Sequence, residues 1–232
     1  MPLRKWIKSA NHAIEGILHA ARTQRHMRYH LYAAIVILIM SLMLGISWSE
    51  FAVLIILSIV VLSVEMLNTA LEVITDVLFP DYDQRAKEIK DIAAGAVLIC
   101  ALGAVVIGYI ILFEPVKTFF YSGLNIAKHT GGDVAVVALV VVLILVVILK
   151  AFSGKGTPLK GGMPSGHAAV SFSIWIAVTL ISESFMPSLL VFVMALVIAQ
   201  SRVNVGAHKP VEVIAGALLG ITVTFLLFKI FS

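Results

Sequence analysis

The chain is poor in cysteine, poor in charge and without a detectable repeat, and each scarcity narrows what it can be. A single cysteine, Cys100, rules out an internal disulfide framework. Set in an apolar run, it reads as a small packed residue. Only 13% of the 232 residues are charged against 60% hydrophobic, with a mean hydropathy of +1.05. That balance excludes a soluble globular domain and marks an integral membrane protein. The net charge of +4 does not indicate nucleic acid, because Lys and Arg sit between apolar runs rather than in one basic stripe. The N-terminus has no separate apolar core followed by a small-residue cleavage site, so it is expected to stay in the mature protein.

What is present is a succession of apolar runs. Residues 3–28 carry Trp6, Ile7, Ala10, Ile14, Ile17, Leu18 and Ala21 at helical spacing, opposite Arg4, Lys8, Asn11, His12, Glu15, His19 and Arg22. This pattern predicts an amphipathic helix lying on the membrane surface. Seven crossings follow, at about 31–48, 51–79, 92–113, 133–150, 165–182, 187–201 and 210–231, the 187–201 run being the shortest. Placing the N-terminus and the loops 80–91, 150–163 and 201–209 on one side collects 14 of the 17 Lys and Arg residues. That side is expected to be the cytoplasm, with the C-terminus outside, in a multi-pass inner-membrane protein. The stretch 114–132, with a proline, polar residues and GGD, reads as a junction between two halves. The halves share no sequence period, so a fusion is expected rather than a duplication. The fold class is therefore an all-α polytopic membrane protein: a surface helix, a three-span bundle, then a four-span bundle.

The second run contains VEMLNTALEVITD. With Glu65 at zero and about 100° per residue, Asn68, Glu72 and Asp76 fall near −60°, −20° and +20°, one narrow polar face on an otherwise apolar helix. Ionisable groups at membrane depth are costly and mark bundle interiors, ion paths or active sites. The pattern E-x-x-N-T-A-x-E-x-x-x-D from Glu65 to Asp76, followed by AKEIKDIAAGAVL at 86–98, resembles the small integral-membrane diacylglycerol and undecaprenol kinases over about residues 4–113. The resemblance implies a domain at 1–113 that forms trimers and transfers the ATP γ-phosphate to a lipid hydroxyl. It implies Glu65 as the base, Glu72 as ligand of Mg2+, Asn68 and Asp76 as substrate- and nucleotide-positioning groups, and Lys90 and Asp91 on the nucleotide side. The family usually has Glu where TQRHMRYH has Gln24; that Glu shares the metal, so a weaker metal site is expected here.

In the second half, Lys150, PSGH at 164–167 and SRVNVGAHKPVE at 201–212 resemble the three-part signature of the type-2 phosphatidic-acid phosphatases, over about 133–232. The resemblance implies a metal-independent phosphatase. Lys150, Ser165, Gly166, Ser201 and Arg202 would hold the phosphate, His208 would attack phosphorus, and His167 would protonate the departing lipid oxygen. Glu212, one turn beyond His208, would fix its tautomer. Two departures stand out: Thr157 precedes Pro158 where the family has Arg, leaving Lys155 or Lys160 to supply the cation, and Glu212 stands where it has Asp. His12, His19, His26, His30 and His129 read as interfacial.

The expected partners are a lipid phosphate, the membrane and further copies of the chain. A lipid-phosphate enzyme is the leading expectation, with ATP and Mg2+ needed only by the first half. The alternatives are one catalytically silent half, or a non-catalytic trimeric scaffold or proton-coupled carrier that uses the polar stripe for packing or ion passage.

Overall fold

The computed structural model describes residues 2–121, 126–153 and 162–232, with side chains described from Ser9 onward. Every regular element among them is helical: α1 (Pro2–Thr23), α2 (Arg25–Leu44), α3 (Trp48–Leu78), α4 (Gln84–Tyr121), α5 (Gly131–Ser153), α6 (Gly166–Ser182), α7 (Phe185–Asn204) and α8 (Pro210–Phe231). In hydrocarbon a helix satisfies its own backbone, which is why a chain this apolar settles on this element alone.

Six of the helices, α2, α3, α4, α5, α7 and α8, are long and apolar enough to cross a membrane, and α6 is a shorter apolar helix of 17 residues. The short crossing is thus not the 187–201 run. The helix there extends to Phe185 and Asn204 because the flanking polar residues keep helical geometry. α6 is held short by Ser165 before it and by Glu183 after it, the latter in left-handed conformation at φ 47. α4 also departs from expectation. It runs 38 residues through Pro115 to Tyr121 instead of stopping near Phe113, with Lys117 and Glu114 paired on its surface at 3.3 Å. The predicted surface helix divides as well: α1 ends at Thr23, Gln24 is extended (φ −97, ψ 124), and α2 begins at Arg25.

The chain forms two compact units, Met1–Arg22 with Ile126–Ser232, and Thr23–Asn125. The family resemblance groups α1 with the first half; the folded chain groups it with the second.

In Thr23–Asn125, α3 packs against α2 and α4. Gly45 closes α2 in the left-handed region (φ 63), and Ser47 opens α3 through a capping box in which the Ser47 N–H donates to Glu50 at 2.8 Å and the Glu50 N–H to Ser47 Oγ at 3.3 Å. Hydroxyls that would otherwise lie unsatisfied in lipid donate back along the helix: Ser58 to Leu54, Thr69 to Glu65 and Thr75 to Leu71, each at 2.9 Å. Cys100 is a free thiol, half-buried in α4.

In the other unit α6 is central, packed on α5, α7 and α8. Two matched stripes of small residues draw α6 and α8 together: Ser165, Ala169 and Ser173 on one, Gly216, Gly220 and Thr224 on the other. A Cβ at Gly216 would lie 2.3 Å from the Ser165 carbonyl oxygen, and one at Gly220 2.1 Å from that of Ala169. Ser173 and Thr224 share a buried hydrogen bond of 2.7 Å. This is the small-residue packing that lets backbones approach in a membrane. Gly216→Ala is therefore expected to cost about 1–3 kcal/mol, measurable as a lowered thermal midpoint of the detergent-solubilised protein; an unchanged midpoint would refute the close approach. Leu18, Ala20 and Ala21 of α1 are buried in this unit.

Candidate functional site

Two groups of polar residues stand out, one in each unit. In Thr23–Asn125 the break between α1 and α2 turns Gln24 toward α3. Its Nε2 donates to Glu72 Oε2 at 2.8 Å, and Asn68 Nδ2 donates to Glu72 Oε1 at 3.0 Å. Asn68 Oδ1 is buried without a partner among the described residues. Glu65 lies two turns earlier and is 2% exposed, whereas Asp76 lies at the exposed end of the same face. Asp76 accepts from Lys90 of α4; Asp91 is engaged instead by Lys87 at 2.6 Å. The face read from the sequence thus runs from a buried carboxylate to an exposed one, and Lys90 joins it while Asp91 pairs along its own helix.

As a place for a divalent cation, this group offers oxygen donors of the right type but one anion. No set of three or more His, Cys, Asp and Glu stands together among the described residues. The orphaned Asn68 oxygen beside Glu72, with the Gln24 amide, completes an oxygen set around a single carboxylate. A hard cation fits that set with less charge to hold it than two carboxylates supply.

In the second unit, five chain segments converge. Lys150, in the last turn of α5, is 2% exposed. Ser165 occupies the N-cap of α6, yet its hydroxyl makes no capping bond; it is fully buried and has no partner among the described residues. Gly166 and His167 open the helix, and a Cβ at Gly166 would lie 3.3 Å from the Val146 side chain. Ser201 and Arg202 close α7. The chain then turns through Gly206 at φ 66, a conformation that favours glycine, with the Ala207 and His208 N–H groups both donating to the Arg202 carbonyl at 3.0 and 3.1 Å. That turn is what the six-residue spacing from Arg202 to His208 encodes.

His208 Nδ1 lies 2.8 Å from Glu212 Oε2, with its side chain wholly buried. The carboxylate brings no proton, so Nδ1–H donates and Nε2 is left with its lone pair. Nε2 is buried without a partner among the described residues, as is Arg202 Nε. Glu212 is itself held: the Lys209 N–H donates to Oε2 and the Gly162 N–H to Oε1, each at 3.2 Å. The Ser165 N–H donates to the Glu212 carbonyl at 2.9 Å, which ties the PSGH segment to α8. Burial pushes the His208 pKa below the ordinary imidazole value, against the opposing Glu212 hydrogen bond, so the ring is neutral at physiological pH. The charges of Arg202 and Lys150 both reach His167. Thr157, Pro158, Lys155 and Lys160 lie outside the described residues. Of the remaining histidines, His30 lines an apolar cavity of about 340 Å³ among α2, α3 and α4, and His12 is exposed.

Residues 11–112 match the family described as prokaryotic diacylglycerol kinase. A diacylglycerol kinase from Synechocystis sp. is 37% identical over 123 residues, covering 49% of this chain and 70% of that relative. An undecaprenol kinase from Bacillus subtilis is 37% identical over 113 residues, covering 49% of this chain and 91% of that relative. The chain belongs to the prokaryotic diacylglycerol kinase family. No solved structure matches it. Family membership covers the stripe from Glu65 to Asp76, Gln24, Lys90 and Asp91; the convergence around His208 lies beyond the matched residues. The nearness of Gln24 to Glu72 was implied by the family resemblance, whereas the Gly162 contact to Glu212, joining residues 50 positions apart, was signalled by no sequence pattern.

Proposed function

We propose that this is a two-site membrane enzyme of lipid phosphates: the second unit hydrolyses a lipid phosphomonoester or pyrophosphate, and the kinase-family half phosphorylates a lipid alcohol from ATP. The observation that carries the hydrolase reading is the buried Nε2 of a neutral His208, without a partner among the described residues, fixed by Glu212 and near Ser165, Arg202 and Lys150. Buried donors without partners are costly, and a tetrahedral polyanion would accept from the Ser165 hydroxyl and the Arg202 Nε–H while turning its phosphorus toward the Nε2 lone pair.

In the hydrolase, the His208 Nε2 lone pair attacks phosphorus as the bond to the lipid oxygen breaks, and His167 gives its proton to the departing alkoxide. Water then attacks the phosphohistidine with His167 taking a proton; the N–P bond breaks and phosphate leaves, regenerating both imidazoles. Lys150 and Arg202 hold the equatorial oxygens, Ser165 and the Gly166 N–H add donors at the start of α6, and Ser201 stands beside Arg202. No metal takes part. In the kinase half, Glu65 takes the proton of the lipid hydroxyl while Asn68, Asp76, Lys90 and Asp91 position lipid and nucleotide. Glu72, with Gln24, would hold Mg2+, which neutralises the phosphate charge when bound. A trimer follows for this half from its family resemblance.

A specific observation favours a second reading in which the kinase half is silent: both Glu72 oxygens are already occupied by amide donors. It also removes a difficulty, since on the sidedness expected from the sequence both sites would face the cytoplasm, where opposed activities on one lipid would only consume ATP.

The test is purified protein assayed against a panel of lipid phosphates and lipid alcohols, with and without ATP and Mg2+. Phosphate release that persists in EDTA and is inhibited by orthovanadate is the expected result. A preparation indifferent to vanadate and inert on every lipid phosphate would overturn the hydrolase reading and favour a scaffold or carrier.

A further inference from the structure

The Glu212 side chain serves two chain segments at once. Its Oε2 accepts from His208 Nδ1 at 2.8 Å and from the Lys209 N–H at 3.2 Å, both donors on the turn that leads into α8. Its Oε1 accepts at 3.2 Å from the N–H of Gly162, 50 positions earlier in the chain and two residues before Pro164. The main chain of the same residue holds that segment a second time, the Ser165 N–H donating to the Glu212 carbonyl at 2.9 Å. One turn further along α8, Gly216 makes room for this contact, since a Cβ there would lie 2.3 Å from the Ser165 carbonyl oxygen and 3.2 Å from its nitrogen. Gly162 is itself buried and stands at φ 84, a conformation that favours glycine.

These bonds bring the two halves of the hydrolase site onto one residue. The nucleophile is held by one carboxylate oxygen, and the segment that carries the phosphate donors Ser165 and Gly166 is held by the other oxygen and by the carbonyl. In-line attack depends on the distance from Nε2 to phosphorus, and a misplacement of about 1 Å costs on the order of a hundredfold. A residue that fixes both sides of that distance sets it. Side-chain length then matters. An aspartate carboxylate would be drawn back by one carbon–carbon bond, ~1.5 Å, while the Gly162 bond at 3.2 Å is already at the long limit for N–H···O. Aspartate could stay with His208 and Lys209, two donors on its own turn, only by releasing Gly162.

We propose that Glu212 is a positioning residue for the phosphate-binding segment as well as the partner that fixes the His208 tautomer: through Oε1 and its carbonyl it sets residues 162–166 against His208, so that phosphate affinity depends on its length. The proposal rests on the hydrolase reading and adds to it a spacing role that aspartate cannot fill. It gives a reason for glutamate at a position where the sequence pattern led us to expect aspartate.

The test uses the full chain in detergent without added metal, a short-chain phosphatidate as substrate, orthovanadate as inhibitor, and hydrogen–deuterium exchange read on the peptide that contains residues 162–166. Glu212→Asp is expected to raise KM and the vanadate inhibition constant about tenfold while kcat falls only a few-fold, and to speed exchange at the Gly162 amide at least about tenfold, the scale of one lost charge-assisted hydrogen bond. Glu212→Gln keeps the reach. Its amide oxygen can accept from Gly162 while its NH2 donates to Nδ1, which moves the ring proton to Nε2 and removes the nucleophilic lone pair. The split is therefore expected to reverse, with kcat falling while KM and Gly162 exchange stay near the parent values. His208→Ala should leave Gly162 exchange slow, because that bond does not pass through the ring. If Glu212→Asp matches the parent in vanadate affinity and in exchange over 162–166, Glu212 serves His208 alone and the proposal is wrong. If all three variants speed that exchange alike, the cause is a general loosening of the fold, and the proposal is equally wrong. A parent that releases no phosphate would sink the hydrolase reading itself, a separate result, since exchange at Gly162 can be read in an inactive protein.

Discussion

Replacing His208 by alanine is expected to reduce phosphate release by about a thousandfold or more, the usual scale for loss of a covalent nucleophile. Expression and thermal midpoint should change little, because among the described residues the ring stacks on no aromatic group and its one hydrogen bond is to Glu212. The same reasoning sets the pH dependence. Burial holds His208 below the ordinary imidazole range, so it stays a neutral nucleophile as pH falls through about 6.5 and loses activity only below that. Glu212→Gln removes the carboxylate that fixes Nδ1–H and is expected to lower kcat with KM almost unchanged, since Glu212 acts through His208 and not on the substrate. Rapid-quench trapping of an acid-labile, base-stable phosphoprotein in the parent, absent from His208→Ala, is the measurement that decides. Full activity in His208→Ala excludes it as the nucleophile.

Much of the fold was legible because membrane helices obey one local rule. An apolar run of sufficient length is a helix, and its ends follow from Gly45, Ser47 and Glu183, residues whose capping or left-handed geometry closes a turn. Site residues were legible to the extent that they lie within a few turns of one another. Glu65 to Asp76 is a single helical face, and the six residues from Arg202 to His208 are a single turn at Gly206. What the sequence did not disclose is contact across the chain. Arg22 sits at the edge of an amphipathic pattern, where periodicity alone places it in water. In the fold its Nε is nonetheless buried. Gly216 and Gly220 look like ordinary glycines in an apolar run until α6 is brought within 2.3 Å of where their side chains would begin. The length of α4 was misjudged for a different reason: a proline in polar surroundings reads as a stop, but helix flanking on both sides carries it.

The kinase half yields the converse kind of prediction, a gain. Gln24 reaches Glu72 from an extended position at the α1–α2 break, and its amide N–H occupies one carboxylate oxygen while Asn68 occupies the other. Gln24→Glu changes no volume. It replaces an attractive contact of 2.8 Å by two carboxylates facing each other, an arrangement that is unfavourable alone and favourable around a cation. At an effective dielectric near 20, the added Coulomb attraction to the ion is of order a few kcal/mol, so apparent Mg2+ affinity should rise at least about tenfold. Two readouts follow. The thermal midpoint of Gln24→Glu should fall in EDTA and recover as Mg2+ is titrated in, over a lower Mg2+ range than the parent needs, because an ion that binds only the folded chain stabilises it. ATP-dependent labelling of diacylglycerol or undecaprenol should rise over the same Mg2+ range, and Glu65→Gln in that background should eliminate it by removing the base. A Gln24→Glu protein whose midpoint ignores Mg2+ would mean that Glu72 is not a metal ligand. Midpoint recovery without labelling would leave the cation site intact and make the silent-kinase reading correct, with the loss lying elsewhere along the face from Glu65 to Asp76.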